Sequence, residues 1–413
     1  MKQFQRYHAL VLARFACDAH WTYWPGSGHL LSRGPPVVLR WSSSGGMALS
    51  GLRRPPSRGG RAEKRRLFGL RSGLLRQRRV QATVKERSYA LSMPEAVCLS
   101  SPDTGAQPEL TWLAGVLSLR TMNALQDSLL ELIRRTSAEI PEDVHKAILD
   151  SLEREKQGTI AASAMKIIEQ NIALAKNKSQ PICQDTGSII FYVDCPAGYD
   201  QTGFEAAARA AVTLATRKGF LRQNSVDSIT GKNDGTNVGP GSPTVHFHQH
   251  VTPDVSVRLV LKGGGCENVG AQYSLPNEKL KANRDLDGCR KAILDAVLQA
   301  QGKGCGPGIL GVCIGGDRAT GYEFSKQQFL RKLDDRNPNP ELDKLERDVV
   351  ATANKLGIGP MGFGGQTTLL GAKIGVLNRL PASYFVSISY MCWAYRRQGA
   401  ALDATGKVQK WLY

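Results

Sequence analysis

Three cysteines set far apart along the chain, Cys183, Cys305 and Cys392, each stand inside a glycine-rich or aromatic signature, and only folding can bring them together. The signatures are Pro181-Ile-Cys-Gln-Asp-Thr-Gly187, Gly304-Cys-Gly-Pro-Gly308 running into Gly311-Val-Cys-Ile-Gly-Gly316, and Tyr390-Met-Cys-Trp-Ala-Tyr-Arg-Arg397. They share no local metal-binding spacing. A single cysteine is usually a small core residue, and Cys17, Cys98, Cys195, Cys266, Cys289 and Cys313 read that way. Cys183 differs, because Gln184, Asp185, Thr186 and Gly187 put polar groups and a flexible turn where a packed core wants apolar volume. Three converging thiolates would leave one iron of a four-iron cluster without a protein ligand. An open iron is a Lewis acid.

Nine cysteines in 413 residues are too sparse for a disulfide scaffold, so reduced thiols and a cytoplasmic location are expected. No apolar run reaches the length needed to cross a bilayer, and no membrane association is expected. The net charge of +18 is uneven: residues 1–121 hold 19 Lys and Arg against 6 Asp and Glu, which leaves +5 for the remainder. That stretch is rich in Arg, Pro, Ser and Gly and has no sustained periodicity. It cannot bury enough apolar surface to offset the entropy of ordering, so disorder is expected. A nucleic-acid-binding arm and an organelle transit segment are competing readings. Translation from upstream of the real start is preferred, because orderly helical sequence begins abruptly at Met122. The domains expected are therefore an extension over 1–121 and a folded domain over 122–413.

Leu125, Leu129, Leu132 and Ile133 fall at helical spacing, and Pro141-Glu-Asp143 opens a second helix carrying Val144, Ile148 and Leu152. A third helix is predicted over 160–175. Beyond it the pattern predicts strands at 188–194, 244–250, 255–261, 310–314 and 367–376, and helices at 205–218, 286–301 and 341–356. Strands interleaved with helices define an α/β fold, here a helical N-terminal cap followed by a mixed α/β domain. His246, His248 and His250 share one face of a strand. A line of positions suits tetrahedral zinc poorly, so a solvated or interface face is expected. Gly357-Ile-Gly-Pro-Met-Gly-Phe-Gly-Gly365 lacks the Gly-Lys-Ser/Thr ending of a phosphate loop and follows a charged helix, which argues against nucleotide binding.

Over roughly residues 122–413 the chain resembles the α part of class I, iron–sulfur fumarate hydratases and the related L(+)-tartrate dehydratases. The residues that carry the resemblance are Ile182-Cys-Gln-Asp-Thr-Gly187, Lys262-Gly-Gly-Gly265, Cys305-Gly-Pro307, Gly357 to Gly365 with Thr367 and Thr368, and Cys392-Trp-Ala-Tyr-Arg-Arg397. The resemblance implies a hydro-lyase whose [4Fe-4S] cluster is held by Cys183, Cys305 and Cys392. The family often has Cys-Pro-Pro at the second site, and a slipped register would substitute Cys313 for Cys305.

Dehydrating a 2-hydroxydicarboxylate expels a poor leaving group, hydroxide, which an open iron stabilises. Asp185, two residues after a cluster ligand, is the candidate for the proton transfer at the adjacent carbon. Arg222 aligns with a substrate-gripping arginine of the family, and a guanidinium suits bidentate carboxylate binding. Gln184 and Thr186 are further candidate substrate contacts, and Gly263, Gly264 and Gly265 allow a backbone anion-binding concavity. The resemblance also implies a separate β subunit completing the site, since no second domain follows in this sequence. Malate and fumarate are the expected pair, with tartrate as the alternative. An exposed iron further implies inactivation by oxygen.

Overall fold

In the computed structural model the backbone is described over residues 108–413 and the side chains over 123–413. These residues lie in one compact unit, Cys98–Tyr413. The disorder expected of the extension lies, up to residue 107, outside the described residues. The first helix, α1 (Pro108–Ala138), runs through Met122, so the helix does not start there.

Two further helices follow as the sequence predicts. Helix α2 (Glu142–Arg154) buries Val144, Ile148 and Ser151 at intervals of four and three, and carries Glu142 and Asp143 in its first turn, where carboxylates suit the helix dipole. Helix α3 (Ile160–Lys178) starts where the Thr159 hydroxyl accepts from the Ala162 N–H at 3.2 Å, an N-cap that satisfies one of the helix's orphan donors.

The strands form two sheets. The first has the order β2-β1-β3-β8-β9, with β1 (Ser188–Pro196), β2 (Thr244–His250), β3 (Val255–Lys262), β8 (Arg396–Leu402) and β9 (Val408–Trp411). The second has the order β4-β7-β5-β6, with β4 (Ala271–Ser274), β5 (Gly308–Gly315), β6 (Leu369–Leu377) and β7 (Phe385–Met391). The intervening helices are α4 (Gln201–Arg217), α5 (Gly264–Asn268), α6 (Leu286–Ala300), α7 (Arg318–Gln327) and α8 (Pro340–Asn354).

Strand β1 is apolar on both faces because both are covered. Ile189, Phe191 and Val193 pack with α1 and α4, whereas Ile190 and Tyr192 face a second core shared with α2, α3 and Met391. A third core lies between the second sheet and helices α6 and α8. Strand β7 is an inner strand of the second sheet. The middle core, where the two sheets approach, contains Cys266 and Cys392 and borders Cys183.

The glycine-rich stretch over 357–365 is fastened by the residue that closes α2. Glu155, 3% exposed, accepts from the N–H groups of Gln366 at 3.0 Å and Thr367 at 2.8 Å. The Met361 N–H in turn donates to the Gly306 carbonyl at 2.9 Å, which braces the turn that carries Cys305. Glu155→Ala would leave the buried Thr367 N–H unpaired and the Gln366 N–H without its carboxylate, at an expected cost of about 1–3 kcal/mol. A urea titration checks it: the midpoint should fall at unchanged slope, and a shift too small to measure would mean water replaces the carboxylate.

Candidate active site

Gly187 explains why the first cysteine signature lies where it does. Its φ is +76°, and a Cβ there would stand 2.3 Å from the Lys262 carbonyl oxygen, so only glycine lets the turn press against the end of β3. That contact brings Asp185 onto the Gly263–Gly265 segment. Asp185 Oδ2 accepts from the Gly264 N–H at 2.5 Å, Oδ1 accepts from Asn224 Nδ2 at 3.0 Å, and the Asp185 carbonyl accepts from the Arg396 guanidinium at 2.5 Å. The triple glycine, expected to form an anion-binding concavity, opens a short helix, α5, and its Gly264 N–H serves a carboxylate of the protein itself.

The three cysteines converge. Cys183 Sγ accepts from the Asp185 N–H at 3.4 Å. Cys305 is exposed, in a left-handed conformation (φ 53°) closing a 3-10 turn, and its carbonyl accepts from the Trp393 N–H at 3.3 Å, directly beside Cys392. Enclosure by its neighbours and the charges of Cys266, Cys183 and Asp185 push the Cys305 thiol up. Cys392 is buried and its thiol is raised above the usual range, first by a hydrogen bond with Cys266 and then by desolvation. Cys313 takes no part: it lies in the middle of β5, its sulfur turned to the Gly315 carbonyl, and burial pushes its thiol up to about 12. The alternative register is thereby disfavoured.

A fourth thiol joins the group. Cys266, expected as a core residue, is 4% exposed and packs in the middle core. Its thiol is also lowered, first by its hydrogen bond with Cys392 and then, against burial, by the charge of Lys262. Nothing in its local sequence beyond the adjacent glycines signals this placement. Two buried cations stand beside the sulfurs. Lys262 is 0% exposed, and its Nζ lies 3.2 Å from Glu267 Oε2 without forming an aligned hydrogen bond. Arg396 is 1% exposed, and among the described residues its Nε has no partner.

The other expected contacts are distributed unevenly. Gln184 and Arg222 are exposed, and among the described residues neither side chain makes a hydrogen bond or ion pair, so both are free to meet a ligand. Thr186 is buried, and its hydroxyl donates to the Arg222 carbonyl at 2.7 Å and accepts from the Arg222 N–H at 2.9 Å. It fixes the Arg222 backbone. A cleft of about 580 Å³ opens beside Asp185, Asn224 and Gly264, with His246, Tyr322, Glu323 and Lys326 on its other wall. His246 Nδ1 lies 3.2 Å from Glu323 Oε1 and its ring stacks on Tyr192.

Residues 126–401 match the family model for fumarate hydratase (Fumerase). The chain belongs to the Fumerase family. It is 52% identical over 296 residues to a putative fumarate hydratase class I of Geobacillus stearothermophilus, covering 71% of this chain and 58% of that protein. It therefore spans little more than half the length of that relative. It is 31% identical over 278 residues to a putative L(+)-tartrate dehydratase subunit alpha of Methanocaldococcus jannaschii, 66% of this chain and 95% of that protein. An L(+)-tartrate dehydratase subunit alpha of Escherichia coli (strain K12) is 30% identical over 287 residues, 67% of this chain and 90% of that protein.

Iron–sulfur chemistry in a Fumerase domain can be tested against these side chains. Among the described residues no three His, Cys, Asp or Glu side chains close around a single ion. A four-iron cube is gripped at separate corners, so its thiolates stand farther apart than the ligands of one ion. The donor types suit such a cube: three thiols from three segments, with Lys262, ion-paired to Glu267, and Arg396 as buried positive charge beside them. Among the described residues, no helix is long and apolar enough to cross a membrane.

Proposed function

We propose that the chain is the α part of a hydro-lyase interconverting (S)-malate and fumarate, with Cys183, Cys305 and Cys392 holding a [4Fe-4S] cluster. The observation that carries this reading is the meeting of three cysteine-bearing segments at one carboxylate, Asp185. The cluster would supply a Lewis-acidic iron for the departing hydroxyl. Asp185, its two oxygens each held by one donor, retains lone pairs to take up or return the proton at the adjacent carbon. The free guanidinium of Arg222 binds a substrate carboxylate in a bidentate fashion, and the exposed Gln184 amide adds a donor. Arg396, tied to the Asp185 carbonyl, keeps that backbone in place against the cleft.

A separately encoded β subunit supplies the remaining carboxylate-binding groups. Support for this comes from the relatives named as alpha subunits, whose length the chain matches almost completely. Tartrate is the second reading, favoured by those same relatives. The 52% identity to a protein named putative fumarate hydratase class I supports malate as the first reading.

The test is anaerobic co-expression with the candidate β subunit, followed by iron and sulfide analysis and an assay of malate dehydration by fumarate absorbance. About four irons per αβ unit with fumarate formation is the expected result. A loaded cluster that turns over tartrate and not malate would move the assignment to the second reading. Absence of iron would sink both.

A further inference from the structure

The geometry points to Asn224 as the positioning residue of the Asp185 carboxylate, and to Asn237 as the buried clamp that sets Asn224. This rests on the reading of Asp185 as the proton-transfer group. Asn224 Nδ2 donates to Asp185 Oδ1 at 3.0 Å while the Gly264 N–H donates to Oδ2 at 2.5 Å. A carboxylate held at one oxygen can still swing about its χ2 axis. Held at both, it presents its remaining lone pairs in one direction, along the cleft that Asn224 and Gly264 also line. An amide is suited to this task, because it donates a hydrogen bond yet neither gains nor loses a proton near neutral pH, so it orients the carboxylate without competing for the proton.

Asn224 lies in the stretch between α4 and β2, 218–243, which contains no helix or ladder strand. Such a segment drifts unless pinned. The pin is Asn237, 1% exposed, with a left-handed backbone (φ 59°) of the kind asparagine tolerates. Its Oδ1 accepts from the N–H groups of Asn224 at 2.8 Å and Ser225 at 2.9 Å. Its Nδ2 donates to the Arg222 carbonyl at 2.7 Å and to Thr216 Oγ1 at 3.0 Å. Both amide hydrogens and both lone pairs are used, so the side chain is fully satisfied and rigid. Thr216 belongs to α4, so the clamp transfers the stiffness of a packed helix to the segment bearing Arg222 and Asn224. Among the described residues, neither asparagine side chain hydrogen-bonds a cysteine.

The experiment compares Asn224→Ala, Asn224→Asp, Asn237→Ala and Asn237→Asp in the complete enzyme, with whichever 2-hydroxydicarboxylate the wild type dehydrates. Misplacing a reacting group by an ångström can cost about a hundredfold in rate. Asn224→Ala should accordingly lower kcat roughly 10- to 100-fold with KM changed by less than about threefold, at unchanged iron content and unchanged Tm. Asn224→Asp, the same shape without the donor and with a like charge, should lose at least as much. Asn237→Ala should lower kcat and Tm together, and Asn237→Asp, which keeps the acceptor for both N–H groups, should recover part of each. An unchanged kcat in Asn224→Ala, or a loss confined to KM, overturns the assignment. A crystallographic arm does not depend on turnover: in Asn224→Ala the Asp185 carboxylate should leave the Gly264 N–H or occupy more than one rotamer. A single unchanged rotamer overturns the proposal, whereas a wild type that dehydrates neither malate nor tartrate overturns the reading of function instead.

Discussion

Cys183→Ser is expected to strip the anaerobically assembled enzyme of iron and activity together, from about four irons per cluster toward none. A serine hydroxyl at neutral pH is not a thiolate, and two remaining ligands hold a cube at only two corners. The same loss is expected for Cys305→Ser and Cys392→Ser. Cys313→Ala is the control, since that sulfur is turned into β5 toward the Gly315 carbonyl, and it should keep its iron at a modest cost in stability. Iron analysis with the visible absorbance of the cluster reads both outcomes. A Cys183→Ser enzyme with full iron would show that the convergence of the three signatures serves packing alone. A Cys313→Ala enzyme without iron would restore the slipped register.

Asp143→Ala should be among the most damaging changes outside the thiol site. Asp143 Oδ1 and Oδ2 accept from Arg397 Nη2 at 2.8 and 2.7 Å, and the two side chains are 8% and 0% exposed. The guanidinium also lies 4.2 Å from the centre of the Tyr413 ring and 4.9 Å from that of Tyr395. Removing the carboxylate leaves a charge that cannot reach water, at a cost of about 3–5 kcal/mol. That is a large share of the stability of a typical domain. Replacing both partners, Asp143→Leu with Arg397→Met, should recover most of the loss, because the desolvation penalty disappears with the charges. Chemical denaturation of the single and double variants measures it. Equal stability of Asp143→Ala and wild type would mean that Arg397 finds another partner.

The strands and helices with clean periods were legible in the sequence. The predicted strand at 244–250 matches β2 residue for residue, and the predicted helix at 286–301 ends one residue beyond α6. Helix α7 was not legible, because it buries only Gly321 and Ser325 and so presents no apolar stripe. Strand β8 opens on Arg396, Arg397 and Gln398, all buried. A pattern of hydrophobicity reads such residues as surface. The site divides along the same line. Glycine turns and cysteine signatures are local and can be read along the chain. Asn224, Asn237, Glu155 and the sulfur contact of Cys266 acquire meaning only from partners brought close by folding, and no spacing announces them. The mixed α/β fold behind a helical cap was legible from the alternation of patterns, and the helix continuing upstream of Met122 was hidden by the composition preceding it.

The pairing order of the first sheet bears on when a cluster held as proposed would be assembled. Strand β3 is flanked by β1 and by β8, and β8 begins four residues after Cys392. During synthesis, then, the ribosome releases Cys183 and Cys305 long before the strand that closes the sheet beside them. A nascent chain holds two unsupported thiols and an open sheet edge, a hazard for aggregation as well as for stray oxidation. A cluster held as proposed would then be assembled late, on a domain whose first sheet is already paired rather than on an emerging chain.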